Sequence, residues 1–203
     1  MLRLLTTLIN TIFPPRETEI LLSGISTEKI ERLYIPSSFH NNIYLCHYQN
    51  EMVRAAIVEN KFHHNRQATV LLANFLIKWH KSQTANTLYV PIPLSKKRER
   101  DRGYNQVEEI IRATEPKLEF ESNLLKRKID TPPQTTLNKG DREKNMRGVF
   151  VFNIENKIDF GKYQQVVIVD DVVTTGGTLN EARATLAPHL PPHITLRCLA
   201  IAH

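Results

Sequence analysis

Residues 166–182 read VVIVDDVVTTGGTLNEA, and this stretch decides the fold. Four apolar residues, Val166 to Val169, run into two adjacent aspartates, Asp170 and Asp171. A short run of this kind is a buried strand of a parallel sheet. Thr174-Thr175-Gly176-Gly177-Thr178 follows, and LNEARATLAPHL (179–190) has helical character. Strand, glycine turn and helix in that order make one unit of an α/β fold. In such folds ligands bind beyond the carboxyl ends of the strands.

The segment carries a specific chemistry. Gly176 and Gly177 allow a tight turn and close approach of the backbone to a ligand. The helix start offers unpaired N–H groups and the positive end of a dipole, which together cradle phosphate. Thr174, Thr175 and Thr178 add hydroxyl donors. Carboxylates repel a phosphate, so Asp170 and Asp171 fit better as acceptors for sugar hydroxyls or as outer ligands of a magnesium ion. Phosphate at one end and a diol at the other describe a ribose 5-phosphate. No lysine follows the glycines as in a Walker loop, and G-x-G-x-x-G is absent.

Working outward, TLYVPIP (87–93) reads as a second buried strand, and HITLRCLAIA (193–202) and NNIYLCHY (41–48) as two more. VFVF (149–152) has strand character and KLEF is a short strand candidate. EMVRAAIVENKF (51–62), RQATVLLANFLIKWHK (66–81) and GYNQVEEIIRA (103–113) read as helices. Trp79 falls within that pattern as a core residue. The alternation predicts an α/β protein with a mostly parallel, twisted sheet flanked by helices. Residues 16–40 show no clear period, and Lys126 to Arg147 reads as a long loop, with two prolines, a glycine and dense charge.

The 203 residues, 41% of them hydrophobic, allow one full core with a small appendage. The net charge is +6, and its excess lies in two segments. SKKRERDR (95–102) and residues 126–147 carry +3 and +4, and the remainder is close to neutral. Two basic segments flanking one acidic strand end point to an anionic ligand or a nucleic-acid surface. Leu2, Leu5, Leu8, Ile9, Ile12 and Phe13 predict a short amphipathic helix stopped by Pro14 and Pro15. No apolar run is long enough to span a membrane, so a cytoplasmic protein without membrane insertion is expected. Cys46 and Cys198 form no CxxC pair and read as small buried hydrophobes. His63-His64 has no third ligand near it in sequence.

VVIVDDVVTTGGT resembles the phosphoribosyl pyrophosphate (PRPP) motif of type I phosphoribosyltransferases. VPIPLSKKRERDRGYNQVEEI (90–110) and TPPQTTLNKGDREKNMRGVFVF (131–152) resemble blocks of one branch, the competence-associated ComF family, in the same order and spacing. The resemblance runs from about Tyr44 to the C-terminus. It implies a type I phosphoribosyltransferase-like fold over 41–203, with 1–40 as an N-terminal helix and irregular segment. It also implies roles. Asp170 and Asp171 would take the ribose hydroxyls, and Thr174 to Thr178 the 5-phosphate. The loop after Pro93 would face pyrophosphate and Mg²⁺, with Lys97, Arg98, Arg100 and Arg102 neutralising it. Arg102-Gly103-Tyr104-Asn105-Gln106 is the signature at the next helix start. Thr131 to Arg147 would be the closing loop, with Gln134, Arg142, Asn145 and Arg147 as its ligand-facing residues. Mg²⁺ would be held mainly through PRPP.

The sequence departs from the family at Phe13-Pro14-Pro15-Arg16, where a cysteine-rich zinc finger commonly begins. Glu17 follows instead, and no cysteine appears before Cys46, so no zinc site is expected there. Three functions fit the whole: an Mg²⁺-dependent phosphoribosyltransferase of unknown acceptor; an accessory factor in DNA uptake that meets single-stranded DNA and competence proteins such as a helicase; or a PRPP sensor. Turnover separates the first from the third, and salt-sensitive DNA binding marks the second.

Overall fold

The computed structural model describes residues 14–128, 148–155 and 157–203. Helices α1 (Glu17–Leu22) and α2 (Thr27–Leu33) lead into an antiparallel pair, β1 (Ser37–Phe39) and β2 (Asn42–Cys46). Helices α3 (Glu51–His63) and α4 (Arg66–Lys81) follow, then β3 (Thr87–Pro91), α5 (Lys96–Arg102) and α6 (Gln106–Arg112). Strands β4 (Leu125–Arg127) and β5 (Phe150–Phe152) pair antiparallel as a separate ribbon. Then come β6 (Gln165–Val172), α7 (Gly177–Leu186) and β7 (Thr195–Ala202). The predicted first helix and the segment 129–147, which holds Gln134, Arg142, Asn145 and Arg147, lie outside the described residues.

The main sheet has the order β1-β2-β7-β6-β3, with β2, β7, β6 and β3 parallel. The α/β architecture with a mostly parallel sheet is therefore borne out. Side chains alternate across β6 and β7, and each set meets its own helical layer. Val167, Val169, Leu199 and Ile201 pack with Val53, Phe75 and Ile110 of α3, α4 and α6. Val166, Ile168, Cys198 and Ala200 pack with Leu179, Ala182 and Leu186 of α7 and with Leu125 and Phe150 of the ribbon. Trp79 and both cysteines are buried, and the cysteines are free thiols.

Local chemistry sets the helix ends. The Asn50 side chain accepts from the N–H groups of Met52 and Val53, and Asn65 does the same for Gln67 and Ala68. His64, in the left-handed region at φ 48°, stops α3.

Four segments differ from the sequence expectation. SKKRERDR is a helix, capped by the Ser95 hydroxyl and closed by Gly103 at φ 77°. KLEF makes a single bridge, Phe120 to Tyr89, in place of a strand. Lys126 and Arg127 belong to β4 and not to a loop. Residues 16–40 are ordered into α1, α2 and β1. A buried carboxylate holds α1. Glu59 accepts from Arg16 Nε at 2.8 Å, Arg16 Nη2 at 2.7 Å, Thr18 Oγ1 at 2.5 Å and Asn65 Nδ2 at 3.2 Å. Gln67 Nε2 donates to the Leu22 carbonyl at 2.8 Å, and Leu22 is buried in the core. No helix of the described residues is long and apolar enough to cross a membrane.

Candidate functional site

Strand β6 continues through both aspartates. Period-two alternation therefore places them on opposite faces of the sheet. Asp171 shares the face of Val167 and Val169, and Asp170 shares that of Val166 and Ile168. Asp171 is buried. Its Oδ2 accepts from Lys61 Nζ at 2.8 Å and from Gln106 Nε2 at 2.9 Å. Gln106 Oε1 accepts from Arg102 Nη1 at 2.6 Å, and the Arg102 guanidinium lies 5.1 Å from the centre of the Phe62 ring. Asp170 is half-buried, and its Oδ1 accepts the Asp171 N–H at 2.8 Å.

These surroundings drive the two acids apart. Burial, then the charge of Asp171, pushes the Asp170 carboxyl up to about 7, against the pull of Lys61 and Arg98. Burial also pushes Asp171 up, but Lys61, Gln106 and Arg102 together outweigh it and hold this carboxyl below its ordinary value. Asp171 is thus the acid held toward its ionised form, and Asp170 the one pushed toward its neutral form.

The loop beyond the strand depends on one glycine. Gly176 has φ 81°, and a Cβ there would lie 2.8 Å from Asn42 Nδ2. Asn42, on the first position of β2, is completely buried. Its amide donates to the His40 carbonyl at 3.1 Å and to Asn180 Oδ1 at 3.3 Å, while its own Oδ1 has no partner among the described residues. Thr175 Oγ1 accepts the Gly177 N–H at 3.4 Å. Thr174 is exposed, and Thr175, Gly177 and Thr178 are half-buried. The first turn of α7 begins at Gly177, on the Asp170 side of the sheet.

The basic segment lies beyond the end of β3, which pairs with β6. Lys97, Arg98 and Arg100 are exposed on α5, Pro93 is half-buried, and Arg98 is near enough to bear on both Asp170 and Arg102. Tyr104 and Asn105 have structural partners. The Tyr104 hydroxyl donates to the Asn60 carbonyl at 2.8 Å and accepts the His64 N–H at 3.0 Å, and its ring stacks on His64 at 4.2 Å. Asn105 caps α6 through Val107 and donates to the Ile92 carbonyl at 3.0 Å.

The fold therefore gathers Asp170, Asp171, Arg98, Arg102 and the 174–178 loop at one end of the sheet. Sequence reasoning missed Lys61, and took Gln106 only as part of a signature. The available signal was the polar run Glu59-Asn60-Lys61 near the end of an amphipathic helix, where Glu59 and Asn60 turn out buried. Among the described residues, no three His, Cys, Asp or Glu side chains come together to hold a metal ion. His64 instead meets Glu109 at 3.3 Å.

No family model matches the chain. Over 94 residues it is 37% identical to Competence protein F of Haemophilus influenzae. That match bears out the resemblance to the ComF family. It covers 45% of this chain and 40% of the relative, so the chain spans under half the length of the curated relative it matches.

Proposed function

We propose that the carboxyl end of the sheet is a PRPP site in a type I phosphoribosyltransferase-like fold, serving a competence-associated protein. One observation carries this reading: an acid pair and a Gly-Gly loop leave the same buried strand, and the basic helix α5 follows the strand beside it. The 174–178 loop takes the 5-phosphate on backbone N–H groups and threonine hydroxyls. The buried Asn42 amide packs against Gly176 and leaves no room for a side chain there. The aspartate end of β6 takes the ribose diol. Lys97, Arg98 and Arg102 balance the charge of the pyrophosphate.

Displacing pyrophosphate from ribose C1 leaves positive charge on the sugar and negative charge on the leaving group, so fixed cations and a bound Mg²⁺ lower the barrier. With so few acidic oxygens in reach, the residues present fit an Mg²⁺ held through the phosphates of PRPP and by water.

The test is a calorimetric titration of PRPP with Mg²⁺ on wild type and on Asp170→Asn/Asp171→Asn. Binding in the micromolar range, lost in the double variant, supports the site, and pyrophosphate release with an acceptor makes it an enzyme. A well-folded wild type that binds no PRPP overturns the reading. A second reading rests on the exposed Lys97, Arg98 and Arg100 of α5, which would meet single-stranded DNA in uptake. Binding of an oligonucleotide that falls with salt and with charge reversal at Arg98 and Arg100 would favour it.

A further inference from the structure

We propose that the two aspartates do different work, and that Lys61 is a positioning residue for the pyrophosphate half of the site. This rests on the PRPP reading above. Adjacent residues of an extended strand project to opposite faces of the sheet. Asp170 lies on the α7 side, where the phosphate loop begins, and its Oδ1 takes the neighbouring backbone N–H, which leaves Oδ2 for a ligand. It is the acceptor for the diol of a ribose whose 5-phosphate sits on that loop.

Asp171 points the other way and is already engaged. Its Oδ2 takes two donors, from α3 and from α6. The result is a single polar row that crosses the site: Lys61 to Asp171, Gln106 to Asp171, Arg102 to Gln106. Each link fixes the next. The amide of Gln106 gives its N–H to Asp171, so its carbonyl must face Arg102, and the Arg102 guanidinium is held in one orientation between that carbonyl and Phe62. Lys61, at the end of α3, fixes Asp171 from the helix side at 2.8 Å. The row therefore sets the orientation of Arg102 on the face opposite the diol acceptor, with Lys61 acting on it through Asp171 and Gln106. A ligand with phosphate at both ends meets the loop with one and this row with the other.

Three ligands separate the roles, each titrated into the full chain: PRPP with Mg²⁺, pyrophosphate with Mg²⁺, and ribose 5-phosphate. Lys61→Met should weaken PRPP and pyrophosphate by about tenfold or more, while ribose 5-phosphate changes by less than about twofold. Lys61→Arg should restore most of the loss, because the charge and one donor to Asp171 return. Asp170→Asn should weaken PRPP and ribose 5-phosphate and spare pyrophosphate. If Lys61→Met is poorly folded, Lys61→Met/Asp171→Asn removes both charges at once and keeps the pyrophosphate-selective loss as the readout.

A loss of all three ligands in parallel, at an unchanged unfolding midpoint, overturns the division. So does a Lys61→Met variant that binds pyrophosphate as wild type does. A wild type that binds none of the three fails at the earlier step, the PRPP reading itself, and takes this inference with it.

Discussion

Two acids in this protein meet opposite fates, one where α1 is tied to the core and the other at the end of β6, where we propose that a ligand binds. Glu59, at the tether for α1, is fully buried with both oxygens satisfied. The Arg16 bonds, with help from Thr18 and Asn65 and against the cost of burial, hold it down to about 2. Asp170, at the end of β6, has one backbone donor and a like charge beside it, and is pushed up to about 7. A carboxylate that only holds structure is given every partner it needs. Asp170, in the site proposed for a ligand, has one hydrogen-bond donor among the described residues, and the fold bears that cost.

The sharpest way to break the contrast is at the tether. Glu59→Ala strips α1 of its anchor and leaves Arg16, Thr18 and Asn65 without their acceptor. It should cost more stability than either Gly176→Ala or Asp170→Asn, read as the shift in a urea unfolding midpoint, with PRPP affinity of the folded protein unchanged. Next comes Gly176→Ala. The positive φ and the 2.8 Å approach to Asn42 together cost about 2 kcal/mol. On the proposed function this loop is the phosphate cradle, so affinity for phosphate-bearing ligands should fall in the same variant.

Asp170→Asn should do the reverse of Glu59→Ala: equal or higher stability at pH 8, with ribose 5-phosphate binding lost. The smallest effect is in pH. The folded value of Asp170 lies above its ordinary value of 3.8, so the folded state binds the proton more tightly and stability declines as pH rises from about 4 to about 7. Asp171, Lys61 and Arg98 are the charged groups that bear on it. The stability gained by Asp170→Asn should therefore shrink from pH 8 to about pH 5, where the wild-type carboxyl is already neutral. For Glu59 the sign is opposite. Its folded value lies below 4.5, so its contribution is complete above that and lost as pH falls toward about 2. A wild type whose acid unfolding matches that of Glu59→Ala would mean that the tether adds nothing to acid stability.

Much of this was legible in the sequence, for identifiable reasons. The helices at 51–63 and 66–81 and the strand from Gln165 bury whole faces, so their periods are written in apolar residues. Helix α5 buries nothing, so SKKRERDR carries no period, and only the cap residues Ser95 and Gly103 mark its ends. Residues 16–40 looked patternless because their order depends on Glu59, 43 residues beyond Arg16 in the chain. The aspartate pair and the glycine loop were legible as chemistry. Their opposite facings and partners were not, since these require knowing that β6 continues through both residues and that the last turn of α3 brings Lys61 against its end. Such contacts come from packing, and no local spacing encodes them.

The sheet also has a consequence for the behaviour of this chain in a crowded cell. Parallel strands form slowly and leave ladder edges on which a stray strand can template. Both outer borders are blunted here. The β3 border is covered where Tyr89 exchanges bonds with Glu119 and Glu121, each at 2.9 Å, and just beyond it Pro91 has no N–H to offer. The β1 border is three residues long. Among the described residues the main sheet thus presents no long open ladder, and its exposure to strand templating is greatest in the interval before β3 and β1 are in place.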